Sequence, residues 1–236
     1  MPRYPRAWIL EDERAFHKVW RGHNKEWNLS TPTDKLTYLR FLGEEHVKQG
    51  CHNPLHALAL MSNHAHEIYS LENLKVFSNF MRQHHGRYGA FFNRSRHRKG
   101  KVAQDRPFTC SMEDDHDEMI VTFYIHANPL RANIVKDAKD YLWSTHNLYA
   151  FGKKSSWMKG MKVTFPPWYM ALGATPKLRQ RRYRQLFDAY LKKYGLRKQD
   201  FSVYGVGSLP WCLARKIEIR AQWRESQAAK SLGPPG

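Results

Sequence analysis

The order in which two hydrophobic periods alternate along the chain constrains its fold more than any other feature. A period of two puts side chains on alternate faces of a strand, whereas spacings of three and four put them on one stripe of a helix. Ala15 to Arg21 follows the first pattern and predicts a strand. Thr31-Pro-Thr-Asp then opens a helix carrying Leu36, Leu39, Phe41, Leu42 and Val47, with Gly50 as its stop. Pro54 to Met61 and His64 to Ser70 read as two strands joined at Ser62-Asn63, a hairpin. From Leu71 the helical spacing returns through Leu74, Phe77, Phe80, Met81, Tyr88, Phe91 and Phe92, ending in the basic stretch Asn93 to Lys101. Pro107 to Met112 reads as a fourth strand. The acidic run Glu113 to Glu118 then starts a helix favourably, because negative charge at an N-terminus opposes the helix dipole. That helix carries Met119, Ile120, Phe123 and Tyr124, and Pro129 kinks it or ends it near Ala127. The order β-α-β-β-α-β-α predicts a ferredoxin-like α+β sandwich, an antiparallel sheet with helices packed on one face.

A stretch rich in Gly, Lys, Ser and Pro from Gly152 to Pro167 divides the chain into a first unit, 1–152, and a basic, mainly helical C-terminal extension, 153–236. In the extension Arg179, Arg182, Tyr183, Leu186, Phe187 and Tyr190 form a helix with one basic and one apolar face, suited to docking on the first unit or to gripping nucleic acid. Ser226 to Gly236 reads as a mobile tail. With 42% hydrophobic and 14% aromatic residues the chain can build a core, which excludes disorder as its main state. No apolar run reaches the roughly 18 residues of a membrane span, and Met1 to Arg6 lack a secretory core, so a cytoplasmic location is expected. Cys51, Cys110 and Cys212 form neither a disulfide framework nor a zinc pattern.

Charge points to the partner. Lys and Arg number 39 against 21 Asp and Glu, a formal net charge of +18. Clustered cations gain affinity for a phosphate backbone by displacing its condensed counterions. Between Arg82 and Arg106 there are eight basic residues and one acid, Asp105. Arg82, Arg87, Arg94, Arg96, Lys101 and Arg106 in that stretch, with Arg131 beyond it, are the candidate nucleic-acid contacts. A second basic region, Lys177 to Lys230, is interleaved with aromatic residues.

Two short segments carry chemistry. In His64-Ala65-His66 a strand would present both imidazoles on one face, a geometry that suits a divalent metal; in a chain with 13 His such a pair is as readily incidental. In Tyr124-Ile-His-Ala-Asn128, the four-residue spacing puts phenol and carboxamide on one face of a helix. Asn128 could then offer an oxygen to the same metal, next to Tyr124. A phenol with its ordinary pKa of about 10 is a weak nucleophile unless a cation assists the phosphate it attacks. Tyr88 is a rival nucleophile, though its place between Phe80 and Phe91 suits packing better. His126 points away from Tyr124, Glu67 faces away from the two histidines, and Trp143 and Ser144 read as packing.

Leu60-Met-Ser-Asn-His-Ala-His66, Gly100-Lys-Val-Ala-Gln-Asp-Arg106 and Tyr124-Ile-His-Ala-Asn-Pro-Leu-Arg-Ala132 before Tyr141-Leu-Trp-Ser-Thr145 together resemble the single-tyrosine HUH transposases, and within them the REP-associated tyrosine transposases, relatives of the insertion-sequence 200-like family. The resemblance spans about residues 10 to 150. It implies that His64 and His66 are metal ligands, that Asn128 completes the site and that Tyr124 is the nucleophile. Ala65 stands where the HUH triplet usually has a bulky apolar residue, and Ser62 where many relatives have proline. The implied reaction is cleavage and rejoining of single-stranded DNA at hairpins formed by palindromic repeats, through a 5′-phosphotyrosine and a free 3′-hydroxyl. The implied cofactor is Mg²⁺ or Mn²⁺, although zinc also fits His-x-His. No nucleotide cofactor is expected, because the phosphotyrosine conserves the bond energy. The partners expected are hairpin-bearing single-stranded DNA and no membrane, for a monomer or a homodimer. Two alternatives stand beside this: a rolling-circle initiator or relaxase with HUH chemistry, and a non-catalytic nucleic-acid hairpin binder.

Overall fold

The computed structural model describes residues 4–231. Four strands, β1 (Ala15–Arg21), β2 (Leu55–Leu60), β3 (His64–Ser70) and β4 (Phe108–Ser111), form an antiparallel sheet in the order β2-β3-β1-β4. The helices are α1 (Arg6–Ile9), α2 (Pro32–Lys48), α3 (Leu74–Ser95), α4 (Asp115–His126), α5 (Asn128–Arg131), α6 (His146–Phe151), α7 (Pro167–Met170), α8 (Pro176–Tyr194) and α9 (Leu209–Ser231). With β3 between β1 and β2, the β1-α2-β2 crossover is the split one that the ferredoxin-like order requires. Of the stretch expected to be a mobile tail, Ser226 to Ser231 instead continues α9, and residues 232–236 lie outside the described chain.

The helix starts follow from the sequence. Thr31 and Asp34 form a reciprocal capping box before α2, which satisfies two backbone donors that the first turn leaves open. Asn73 caps α3 through the amide of Val76, and Asp114 caps α4 through that of Asp117.

The sheet separates two hydrophobic clusters. On one face Phe16, Trp20, Leu58, Leu60, Ala65 and Tyr69 pack against α2 and α3, including Tyr38, Phe77, Phe80 and Tyr88. The expectation of helices packed on one face holds for α2 and α3 but not for α4, which lies on the opposite face. The opposite face, with Ala57, Ala59 and Ile68, is covered by α4, and α4 is covered in turn by Tyr183, Phe187 and Tyr190 of α8. The extension thus docks its apolar stripe on the back of α4, where Phe123 meets Tyr183, Phe187 and Tyr190 edge-on or tilted.

Buried histidines tie these layers together and make the fold acid-sensitive. His84 Nε2 donates to the Tyr38 carbonyl at 3.0 Å, and His146 Nδ1 lies 3.3 Å from the Tyr183 hydroxyl. Burial pushes His84 down to about 3 and His146 down to about 4. In the unfolded chain both titrate near about 6.5, so as pH falls below that value the unfolded state takes up protons that the folded state refuses. Stability is full above about pH 6.5 and declines towards pH 4, by about 1.4 kcal/mol per pH unit per histidine. Urea midpoints measured from pH 7 to pH 5 at fixed ionic strength should fall steadily; a flat profile would contradict these neutral buried imidazoles.

Candidate active site

His64 and His66 lie on the face of β3 that α4 covers, their rings edge to face with centroids 4.9 Å apart. In the β1–β3 register Arg21 stands opposite His64 and Val19 opposite His66. The strand period then brings His17 to the same face. His17 Nε2 is 2.8 Å from His66 Nδ1, with both rings buried and nearly parallel. On its other side, His64 Nδ1 donates to Asn63 Oδ1 at 2.6 Å, because a carboxamide oxygen can only accept. His64 therefore keeps the lone pair of Nε2 free. A proton on His66 Nδ1, donated to His17, leaves His66 in the same state. Such outer hydrogen bonds fix tautomer and ring orientation in metal-binding histidines. Burial, reinforced by Arg21, pushes His64 down to about 4; burial takes His17 to about 3 and His66 well below its usual value. All three are neutral at physiological pH, the form that can ligate.

Tyr124 comes from the last turn of α4. Pro129 lacks an N–H, and α4 closes at Ala127 before α5 starts at Asn128. At that break Arg131 folds back: its Nη2 bonds the Tyr124 carbonyl, and its guanidinium carbon sits 4.0 Å from the centre of the Tyr124 ring. The Tyr124 ring meets His66 edge to face at 6.0 Å and Phe201 at 4.8 Å. Phe201 also meets His17 edge-on at 4.8 Å.

A cavity of about 750 Å³ opens here, lined by Tyr124, His66, Arg21, Arg106, Phe201 and Tyr204 among others. One of its walls is the extension segment Lys198 to Tyr204. That volume lies in the range of ordinary ligand pockets.

The structure divides the sequence-predicted site residues. His64, His66 and Tyr124 come together, with Asn128 on the adjoining turn. The Asn128 oxygen, however, accepts from Arg131 Nη2 at 3.0 Å and from Nε at 3.3 Å, while its Nδ2 is buried without a partner. His64 thus offers a free Nε2 to a metal ion, and His66 offers one in the tautomer that donates its Nδ1 proton to His17, whereas the expected third ligand has its oxygen on a guanidinium. Among the described residues no group of three or more His, Cys, Asp or Glu forms a metal cluster. Arg131 touches Tyr124, and Arg106 lines the cavity while bonding the Tyr4 carbonyl at 2.5 Å. Arg82, Arg87 and Arg94 instead ride on α3, across the sheet from Tyr124. Arg87 pairs there with Glu44 and Glu45, Arg96 pairs with Asp34 at 2.8 Å, and Lys101 is exposed. Of the basic stretch Arg82 to Arg106, Arg106 reaches the cavity, whereas the α3 cations lie across the sheet from it.

Other residues fall as their periods predict. Tyr88 is buried on the α3 side and donates to the Asn28 carbonyl. Glu67 faces away from the histidines and pairs with Lys18 at 2.7 Å. His126 is bonded to Tyr183 Oη and Thr145 Oγ1, each at 2.7 Å, so it fastens α4 to α8 and to the segment before α6. Sequence reasoning missed His17, Arg21 and Phe201. The alternation of β1 placed His17 and Arg21 on one face, but only the pairing register shows that they lie beside His66 and His64. Phe201 is marked in the sequence only as one of the aromatic residues interleaved with the second basic region, with nothing to place it against Tyr124.

No family model matches the chain, and no curated protein matches it in sequence. Among solved structures it is similar to a REP-associated tyrosine transposase bound to a REP hairpin, with 21% identity and a TM-score of 0.49, covering 64% of this chain and 87% of that one. Likeness of that degree is one of outline, and the chemistry has to come from this chain's own side chains. No helix among the described residues is long and apolar enough to cross a membrane.

Proposed function

We propose that the chain is a metal-dependent transposase of the HUH type that cleaves and rejoins single-stranded DNA at hairpin sites through a 5′-phosphotyrosine on Tyr124. The chief support is that a tyrosine from α4 meets His66 of β3 beside one cavity, with the neutral His64 ring packed against His66. Tyr124 Oη attacks the phosphorus, an O–P bond to tyrosine forms and the P–O3′ bond breaks. The phenolic proton passes to solvent and the departing 3′-oxygen takes one up. One phosphate ester replaces another, so the step reverses on a second 3′ end without a nucleotide cofactor.

His64 and His66 would hold Mg²⁺ or Mn²⁺ through Nε2, and Asn128 would join them once Arg131 releases its oxygen. A bound divalent ion supplies polarisation of the phosphate oxygens. Arg131, already over the Tyr124 ring, stabilises the phenolate as it forms, and Arg21 and Arg106 hold the flanking phosphates. One observation favours the alternative of a non-catalytic hairpin binder: the Asn128 oxygen is occupied by a cation of the chain itself. Cleavage of an end-labelled single-stranded hairpin in Mn²⁺ separates the two. The wild-type protein should cut, while EDTA or His64→Ala should each reduce cutting by at least about a hundredfold, the scale of a lost electrostatic catalyst. Wild-type rates in His64→Ala would overturn the metal assignment, and no cutting by the wild type would favour the binder.

A further inference from the structure

Trp27 is 69% exposed, and it is the exposed one among eight tryptophans, all of which lie within the described residues. Its indole stacks on no other ring and meets no cation among the described residues. The loop that presents it is nevertheless tightly fixed. Gly22 N donates to the Asn63 carbonyl and Leu29 N to the Ser62 carbonyl, each at 2.9 Å, so both ends of the loop are tied to the turn between β2 and β3. Asn63 Nδ2 reaches the Lys25 carbonyl at 3.5 Å, and the same side chain holds His64. Glu26 is paired with Arg98 at 2.5 Å, and Asn28 Nδ2 donates to the Val102 carbonyl at 2.8 Å. Asn24 and Lys25 take left-handed backbone angles, and a side chain at Gly22 would collide with the Glu26 carbonyl. A floppy loop could expose a tryptophan incidentally; here the fold holds a large flat aromatic in water, with exposed Lys25 and Arg21 on the same run of chain.

From this we infer that Trp27 is a stacking platform for one unpaired nucleobase of single-stranded DNA, next to the turn that carries His64. The inference rests on the proposed single-strand activity and deepens it by giving the site a base contact outside the metal and the nucleophile. Flat aromatic faces bind unpaired bases of any sequence, while neighbouring cations follow the backbone. Duplex DNA offers no free base face to Trp27.

The test is binding in a Tyr124→Phe background, which keeps covalent capture out of the measurement. Anisotropy titrations with labelled dT20 and with a blunt duplex compare Trp27, Trp27→Phe and Trp27→Ala. Loss of one stacked base weakens binding about tenfold. Trp27→Ala should therefore bind dT20 about tenfold more weakly with an unchanged salt slope, because no charge is removed. Trp27→Phe should recover most of the affinity, and duplex binding should not move. A 2-aminopurine stepped through the oligonucleotide should lose fluorescence on binding at one position in the Trp27 protein and at none in Trp27→Ala. Equal affinity of Trp27→Ala for dT20, an equal loss on strand and duplex, or no dT20 binding by the parent would each overturn the platform. An intact phosphotyrosine adduct alongside any of those results confines the failure to Trp27. A preserved Trp27 effect without any adduct from the wild-type protein leaves the platform standing and removes the nuclease.

Discussion

Glu67→Gln should lower the stability of the fold by about 3–5 kcal/mol, the cost of leaving a buried charge without its partner. Glu67 and Lys18 are fully buried and stand directly opposite each other across β3 and β1. Lys18 Nζ donates to Glu67 Oε2 at 2.7 Å, Tyr69 Oη donates to the same oxygen at 2.5 Å, and Tyr38 Oη donates to Oε1 at 2.7 Å. Burial opposes the carboxylate charge, but the Lys18 ammonium, with hydrogen bonds from Lys18 and the Tyr69 phenol, outweighs it and holds Glu67 below the usual carboxyl range. Glutamine keeps the shape and removes the charge, which strands the Lys18 ammonium among Tyr38, Tyr69 and Trp20. Since whole domains are stable by only about 5–15 kcal/mol, much of the population would unfold on mild heating. Pairing Glu67→Leu with Lys18→Met should recover a large part of the loss, less what the two unpaired tyrosine hydroxyls cost, at about 1–3 kcal/mol each. Urea unfolding of the single and double variants reads both numbers. An unchanged midpoint in Glu67→Gln would show that the ion pair is not holding the sheet.

This pair matters to the site because a one-residue slip in a strand turns every side chain to the other face. Lys18 and Glu67 lock β1 to β3 from beneath, and the same register sets His17 against His66 and Arg21 against His64 on the upper face. The ion pair on one side of the sheet and the candidate site on the other are thus fixed by the same pairing.

Local pattern made the strands, the two core helices and the break at Pro129 legible, because each follows from period, cap or proline and needs no partner. Spacing also made it legible that His64 and His66 share a strand face, while the roles of His64, His66 and Tyr124 are what the family resemblance implies, since a bare His-x-His pair is as readily incidental. What the pattern could not convey was pairing and layer. From the sequence His17 is simply one residue of a predicted strand, and only the fold sets it beside His66, while Phe201 belongs to a segment with no period at all. The basic run from Arg82 onward was visible as charge, yet its helix lies across the sheet, where Glu44, Glu45 and Asp34 neutralise part of it. Asn128 shows the same limit at one atom. Its spacing from Tyr124 suits a ligand, but Arg131 three residues further on has taken its oxygen.

Tyr124→Phe carries the largest expected effect on activity. The ring stays, so its contacts with Arg131, Phe201 and His66 should persist, and stability and hairpin binding should change little. On the proposed mechanism only the attacking oxygen is lost, and with it the covalent step. Tyr38, Tyr69 and Tyr88 are buried on the far face, and burial raises the pKa of each, so they offer no substitute; Tyr4 and Tyr204 line the same cavity as Tyr124, and mapping the adduct tells them apart from it. The most direct measurement is to incubate the wild-type protein and Tyr124→Phe with a single-stranded hairpin oligonucleotide and Mn²⁺, digest the product, and weigh the peptides by mass spectrometry. A 5′-phosphonucleotide on the peptide containing Tyr124, absent from the Phe variant, is the expected result; an adduct of equal yield in Tyr124→Phe, or one mapped to another residue, would contradict the account.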